Sequence, residues 1–141
     1  MIFEVPGDAK AKQRPKFSTF GGHVRAITPK QTVEYEHWVK LCYNNELIKN
    51  GCQLDYDKTK PINMQIEVYF APPTSVSKKK TDAMLQDVIK HTKKPDLDNI
   101  IKCITDGLNR IAYDDDKQIV SLSATKKYAR NSYVRVTIVN C

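Results

Sequence analysis

Between Ile62 and Phe70 the chain alternates without a break: Ile62, Met64, Ile66, Val68 and Phe70 are separated by Asn63, Gln65, Glu67 and Tyr69. A period of two puts the five apolar side chains on one face of a strand and the polar ones on the other. Such a strand needs neighbours along its edges and an apolar cover over one face. Other segments can supply both. Ile2 to Val5 alternates and ends at Pro6-Gly7, and His23 to Ile27 reads as a strand returning from Gly21-Gly22. Gln118 to Lys126 and Tyr133 to Val139 read as two closing strands joined through Ala129-Arg130-Asn131.

Three helices are predicted as the cover. Thr28-Pro29-Lys30-Gln31 starts the first, with Thr28 as cap, Pro29 in the first turn and Gln31 completing a capping box. It runs to about Lys49 and closes at Asn50-Gly51, with an apolar face of Val33, Tyr35, Trp38, Val39, Leu41, Cys42 and Ile48. Gln53 to Lys60 is a polar linker, and residues 77 to 90 form a short helix with Met84, Leu85, Val88 and Ile89 inward. Asp98 caps the third helix, which runs from Asn99 to about Ile111. At about 100° per residue, its Ile100, Ile101, Ile104, Leu108 and Ile111 share one face, and Asn99, Lys102, Asp106 and Asn109 the opposite one. The expectation is one α+β domain over residues 1–141, large enough to bury a core without crosslinks.

Charge narrows the partners. Lys+Arg number 23 against Asp+Glu 16, a formal net charge of +7, so the molecule's field attracts polyanions. Lys10, Lys12, Arg14 and Lys16 form a proline-broken basic segment, and Lys78-Lys79-Lys80 crowd a helix N-terminus, where the dipole disfavours cations. Each cluster can be a solvated face or a phosphate contact. No apolar run approaches the roughly 20 residues of a membrane span, and the N-terminus lacks a basic leader, so a cytoplasmic protein without membrane contact is expected. Cys42, Cys52, Cys103 and Cys141 have no zinc-type spacing and are expected as free, buried thiols. His23 and His37 are expected in structural roles.

Against this basic background, two acidic groups stand close in sequence: Asp96-Leu97-Asp98, just before the third helix, and Asp114-Asp115-Asp116, just after it. Carboxylates at i and i+2 ahead of a helix can project to one side and hold a hard cation whose remaining ligands are water and phosphate oxygens. Lys102, on the adjoining polar helix face, could neutralise a scissile phosphate. Together these suit metal-assisted phosphodiester hydrolysis. A purely structural use is also open at this point, Asp98 capping a helix and Asp114 to Asp116 forming a turn. The contiguous acids do not match an EF-hand loop, Lys93-Lys94-Pro95 is no apolar strand of the kind that leads into a D-x-D phosphotransferase aspartate, and no E-x-K follows as in restriction-type nucleases.

The segment Lys94-Pro95-Asp96-Leu97-Asp98-Asn99, then Lys102, Asp106-Gly107-Leu108 and Asp115-Asp116-Lys117-Gln118, resembles the signature of RusA-type Holliday junction resolvases. Pro6-Gly7, Lys12-Gln13-Arg14-Pro15, Thr28-Pro29 and Ser77-Lys78-Lys79-Lys80 resemble other parts of that family's pattern, so the likeness spans most of the chain. It implies a small α+β domain with a mixed sheet and flanking helices, a homodimer, often phage-derived, that nicks four-way junction DNA with Mg²⁺ or Mn²⁺ and no small-molecule cofactor. By position, Asp96, Asp98 and Asp116 match the family's catalytic, metal-binding aspartates, Asp115 the acidic neighbour that also reaches the metal, and Lys102 its essential lysine. Asp106 matches a recurring, supporting aspartate. The resemblance makes Lys10, Lys12, Arg14, Lys16, Lys78, Lys79 and Lys80 candidates for holding DNA arms. With three aspartates in a row, the choice of Asp116 over Asp115 rests on the spacing to Gln118. The contrasting expectation is a protein that binds branched DNA without cutting it.

Overall fold

The computed structural model describes the backbone of residues 1–141 and every side chain except that of Phe20. The order is β1 (Ile2–Pro6), β2 (Lys16–Phe20), β3 (His23–Ile27), α1 (Lys30–Lys49), β4 (Ile62–Phe70), α2 (Lys78–Leu85), α3 (Leu97–Leu108), β5 (Ile119–Tyr128) and β6 (Tyr133–Asn140), with a 3-10 turn at Asp116–Gln118. Four strands form one mixed sheet in the order β1-β6-β4-β5, and β2-β3 form a separate two-stranded ribbon. This is the α+β domain expected.

The alternating strand β4 is the centre. It runs antiparallel to β6 and parallel to β5, with Ile62, Met64, Ile66, Val68 and Phe70 all buried. A parallel neighbour cannot be reached by a tight turn, so the chain crosses over through α2 and α3 before entering β5. The two closing strands do not pair with each other: β4 lies between them, and their loop spans its end, Ala129 N donating to Phe70 O (3.0 Å). Where β5 starts, an extra residue breaks register, Ile62 facing Ile119 but Asn63 facing Ser121. This bulge leaves Val120 exposed directly after the 3-10 turn.

Helices α1 and α3 pack together over the core, Tyr35, Val39, Cys42 and Tyr43 meeting Ile100, Cys103, Ile104 and Leu108 beneath the sheet's buried face. The stripe α1 buries is rotated from the one expected. Thr32, Tyr35, Val39, Cys42 and Tyr43 face inward, whereas Val33, Trp38, Leu41 and Ile48 are exposed. Thr32 can be buried because its hydroxyl accepts from Gln13 N (3.1 Å). The capping box is absent as well: Pro29 itself occupies the cap position, and Gln31 accepts from Gln13 Nε2 instead. The short helix ends at Leu85, because Asp87 adopts a left-handed φ of 61° that turns the chain and leaves Val88 exposed. Of the cysteines, only Cys42 and Cys103 are buried; Cys52 and Cys141 are exposed, and all four are free.

The linker is not uniformly polar in function. Tyr56 is buried, its hydroxyl donating to Ala112 O (2.7 Å) and lying 2.9 Å from the Tyr43 hydroxyl. Tyr56→Phe strands a buried carbonyl and a buried hydroxyl, so it is expected to lower stability by about 1–3 kcal/mol, read as an earlier urea midpoint with an unchanged m-value.

Candidate active site

Helix α3 is the platform. It begins two residues earlier than predicted, with Asp96 rather than Asp98 at the cap position, and it ends at Leu108 rather than Ile111. Arg110, at φ 63°, turns the chain there, so Ile111 and Ala112 bond back to the Leu108 carbonyl. The shift matters for chemistry. Neither Asp96 nor Asp98 spends its carboxylate on capping the helix; both are exposed, at the end where the helix dipole favours negative charge. At about 100° per residue, Asp98, Lys102 and Asp106 lie on one face, one turn apart.

The 3-10 turn brings the second acidic group to that face. Lys102 Nζ stands 2.9 Å from Asp106 Oδ1 and 3.9 Å from Asp116 Oδ2. The three consecutive aspartates have separate jobs. Asp115 caps the turn, Oδ1 accepting from Lys117 N (3.0 Å), a bond that holds its carboxyl below the usual range. Gln118 answers by accepting from the amides of Asp114 and Asp115 (both 2.9 Å), and its own amide group donates to Lys58 O and Lys60 O. Asp114 is exposed and contributes its backbone only. Asp116 is the member turned toward Lys102.

Behind this face runs a second ion-pair system that the sequence reading missed. Lys12, from the basic N-terminal segment, pairs with Asp106 Oδ2 and with Glu36 Oε1 (3.0 Å). Burial alone would lower the Lys12 pKa, but hydrogen bonds and charge from Asp106 and Glu36 outweigh it and raise the value above normal. Burial pushes the Asp106 carboxyl up, and Lys12 and Lys102 together bring it below the ordinary range. Glu36 carried one legible signal, a charge beside the Thr32/Tyr35/Val39 stripe. Gly107 lets the two helices approach this closely, since a Cβ there would stand 2.9 Å from Glu36 O.

Asp96 opens onto an adjoining cleft of about 640 Å³, lined also by Asp8, Lys10, Gln13, Gln31, Lys94 and Asn99. Thus Lys10 is at the site, and the exposed Arg14 and Lys16 lie on the segment beside it. From Ala9 to Val33 there is no acidic residue, against Lys10, Lys12, Arg14, Lys16, Arg25 and Lys30. On the β2-β3 ribbon, Lys16 pairs with Ile27 and Ser18 with Arg25, so Lys16 and Arg25 share a face. Arg25 was not singled out from sequence. Lys78, Lys79 and Lys80 form the exposed first turn of α2, without an acidic partner among the described residues. Also among the described residues, no three Asp, Glu, His or Cys side chains converge into a ready-made metal-ligand set, and no helix is long and apolar enough to cross a membrane.

A profile of the family described as endodeoxyribonuclease RusA matches residues 6–139. The chain belongs to the RusA endodeoxyribonuclease family. The match takes in the cleft, α3, the 3-10 turn and the basic segment, so the RusA likeness and the site geometry concern the same residues. Within reach of this RusA domain in sequence is an uncharacterized protein of Bacillus subtilis (strain 168), YqaN, 33% identical over 141 positions that cover 96% of this chain and 93% of its own.

Proposed function

We propose that this chain is a structure-selective nuclease that resolves four-way DNA junctions by metal-assisted hydrolysis of paired phosphodiesters, acting as a homodimer. The observation that carries the reading is the placing of Lys102, which shares a helix face with Asp98 and stands 3.9 Å from Asp116, beside a cleft lined by Asp96, Lys10 and Lys94. The donor chemistry suits a hard divalent cation: the candidate ligands are all carboxylate oxygens, on exposed or half-exposed side chains free to rotate. Asp96, Asp98 and Asp116 would hold Mg²⁺ or Mn²⁺, with Asp115 tied to its turn. Such an ion, when bound, supplies an acidified water and positive charge for a phosphate oxygen.

The chain's own groups account for the remaining work. Lys102 presents an ammonium to the scissile phosphate or the departing oxygen, where fixed positive charge stabilises the transition state. Lys10, Arg14, Lys16 and Arg25 hold the DNA backbone by charge, and Lys78 to Lys80 offer a second basic surface; affinity through such contacts falls steeply with salt. The two sites of a dimer would give paired nicks on opposed strands.

Among the described residues the acids stand apart, without a preformed triad, and this arrangement favours a second reading in which the domain binds branched DNA and leaves it intact. A labelled four-way junction incubated with protein in Mg²⁺, in Mn²⁺ and in EDTA decides between them. Symmetric nicks that require the metal support the nuclease. Tight binding with uncut DNA in both metals supports the binding protein and refutes the proposal.

A further inference from the structure

Lys12 sits in a run of basic residues that invites a phosphate-binding role, yet its surroundings give it other employment. Its ammonium is bound by Asp106 Oδ2 and by Glu36 Oε1, 3.0 Å away, and its backbone amide donates to Asn99 O (2.9 Å). The residue is therefore fastened at both ends to α3, once at the helix's first turn and once near its last. Lys12, Glu36 and Asp106 are only 28%, 23% and 19% exposed. Turning the ammonium out to a phosphate would leave two half-buried carboxylates facing each other with one cation fewer, which low-dielectric surroundings penalise.

From this geometry we infer that Lys12 is a positioning residue for Lys102, acting through Asp106, and not a DNA contact. The inference rests on the nuclease reading above. Lys102 is 55% exposed, and a lysine on the surface otherwise samples many rotamers of a flexible four-carbon stem. Asp106 holds it by one oxygen, Oδ1, at 2.9 Å. The other oxygen belongs to Lys12, which sets the carboxylate's orientation and supplies the charge that Glu36 and Asp106 require. Without Lys12, the second Asp106 oxygen loses its cation and Lys102 is the partner left to that carboxylate. Glu36 keeps only Lys40, one helical turn on along α1 in the same small cleft. Lys102 is then drawn onto Asp106, away from Asp116 and from any phosphate lying over the helix face. The chain Glu36–Lys12–Asp106–Lys102–Asp116 thus links α1, the N-terminal segment, α3 and the 3-10 turn through charge alone.

Phosphate contact and positioning predict opposite signatures. For Lys12→Met in the full chain, junction affinity measured in EDTA and its dependence on salt are expected to match the unaltered protein. The single-turnover cleavage rate at saturating protein in Mg²⁺ is expected to fall about 10- to 100-fold, on the scale known for partners that orient the ligands of a metal site. Lys12→Arg, which keeps the charge, recovers most of that loss. The double replacement Lys16→Ala/Arg25→Ala serves as the reference for true phosphate contacts, with weaker binding and a salt slope lower by about two. If Lys12→Met is too unstable to assay, Lys12→Met/Glu36→Gln removes the orphaned acid and is expected to show the same rate loss. Weakened binding with a salt slope lower by about one, and an unaltered rate at saturation, would overturn the inference and make Lys12 a DNA contact. A wild-type chain that cuts no junction in either metal overturns the nuclease reading itself, and this inference with it.

Discussion

Asp116→Asn is expected to remove junction cleavage by roughly 10²- to 10³-fold or more, the scale associated with one charged or polar group aimed at a reacting centre. Junction binding in EDTA should be retained or slightly tightened, since the substitution keeps the shape and takes away one negative charge that repels the DNA backbone. Asp96→Asn and Asp98→Asn are expected to behave alike. The adjoining aspartates provide internal controls because each has a different surrounding. Asp114 contributes only its amide to Gln118, so Asp114→Asn should cut at the wild-type rate. Asp115 anchors the turn through Lys117 N, a bond that an asparagine Oδ1 also accepts, so Asp115→Asn should keep the turn and slow cleavage less than the change at 116. The measurement is single-turnover nicking of a labelled four-way junction. An inactive Asp114→Asn beside an active Asp116→Asn would show that the acid facing Lys102 has been wrongly chosen.

Gly107→Val is expected to cost about 3 kcal/mol or more, with loss of cooperative thermal unfolding as the extreme outcome. Helix propensity on its own would put Gly107→Ala at a gain of about 1 kcal/mol. Packing reverses that sign. A Cβ at position 107 meets Glu36 O at 2.9 Å and Glu36 Cα at 3.2 Å, both backbone atoms with no rotamer available to yield. Relief requires moving α1 off α3, and that movement carries Glu36 away from Lys12. Gly107→Ala is therefore expected to be destabilised, though less than the valine variant, and both should lose cleavage in addition to stability. Calorimetric midpoints order the three chains; an alanine variant that melts above wild type would show that the helices are free to separate.

The legible parts of this molecule were those written in short periods. Alternation from Ile62 to Phe70 specified a strand buried on one face, because neighbouring side chains on a strand must point to opposite sides. The apolar arc of Ile100, Ile104 and Leu108 specified an amphipathic α3 for the corresponding helical reason. On α1 the same reasoning selected too wide a stripe: Tyr35, Val39 and Cys42 are buried as expected, but Val33, Trp38, Leu41 and Ile48 are not. Apolar residues surround that helix, and only the positions of β1 and α3 decide which of them are covered. Helix ends were misplaced where left-handed residues, Asp87 and Arg110, turn the chain, since neither residue type announces that backbone.

The residue types of the site were likewise present in the sequence: a pair of acids ahead of a helix, a lysine one turn on, and a trio of acids after it. Local spacing alone determined that Lys102 and Asp106 share a helix face; Asp98 joins them only because the helix starts at Leu97. Only the tertiary structure decided which of Asp114, Asp115 and Asp116 meets Lys102, because the 3-10 turn assigns one to its backbone, one to its cap and one to the helix beyond. It also decided that one lysine of the basic run, Lys12, faces inward to Glu36 and Asp106, partners 24 and 94 residues away. Charges so distant along the chain become neighbours only when helices pack, and no local period records that.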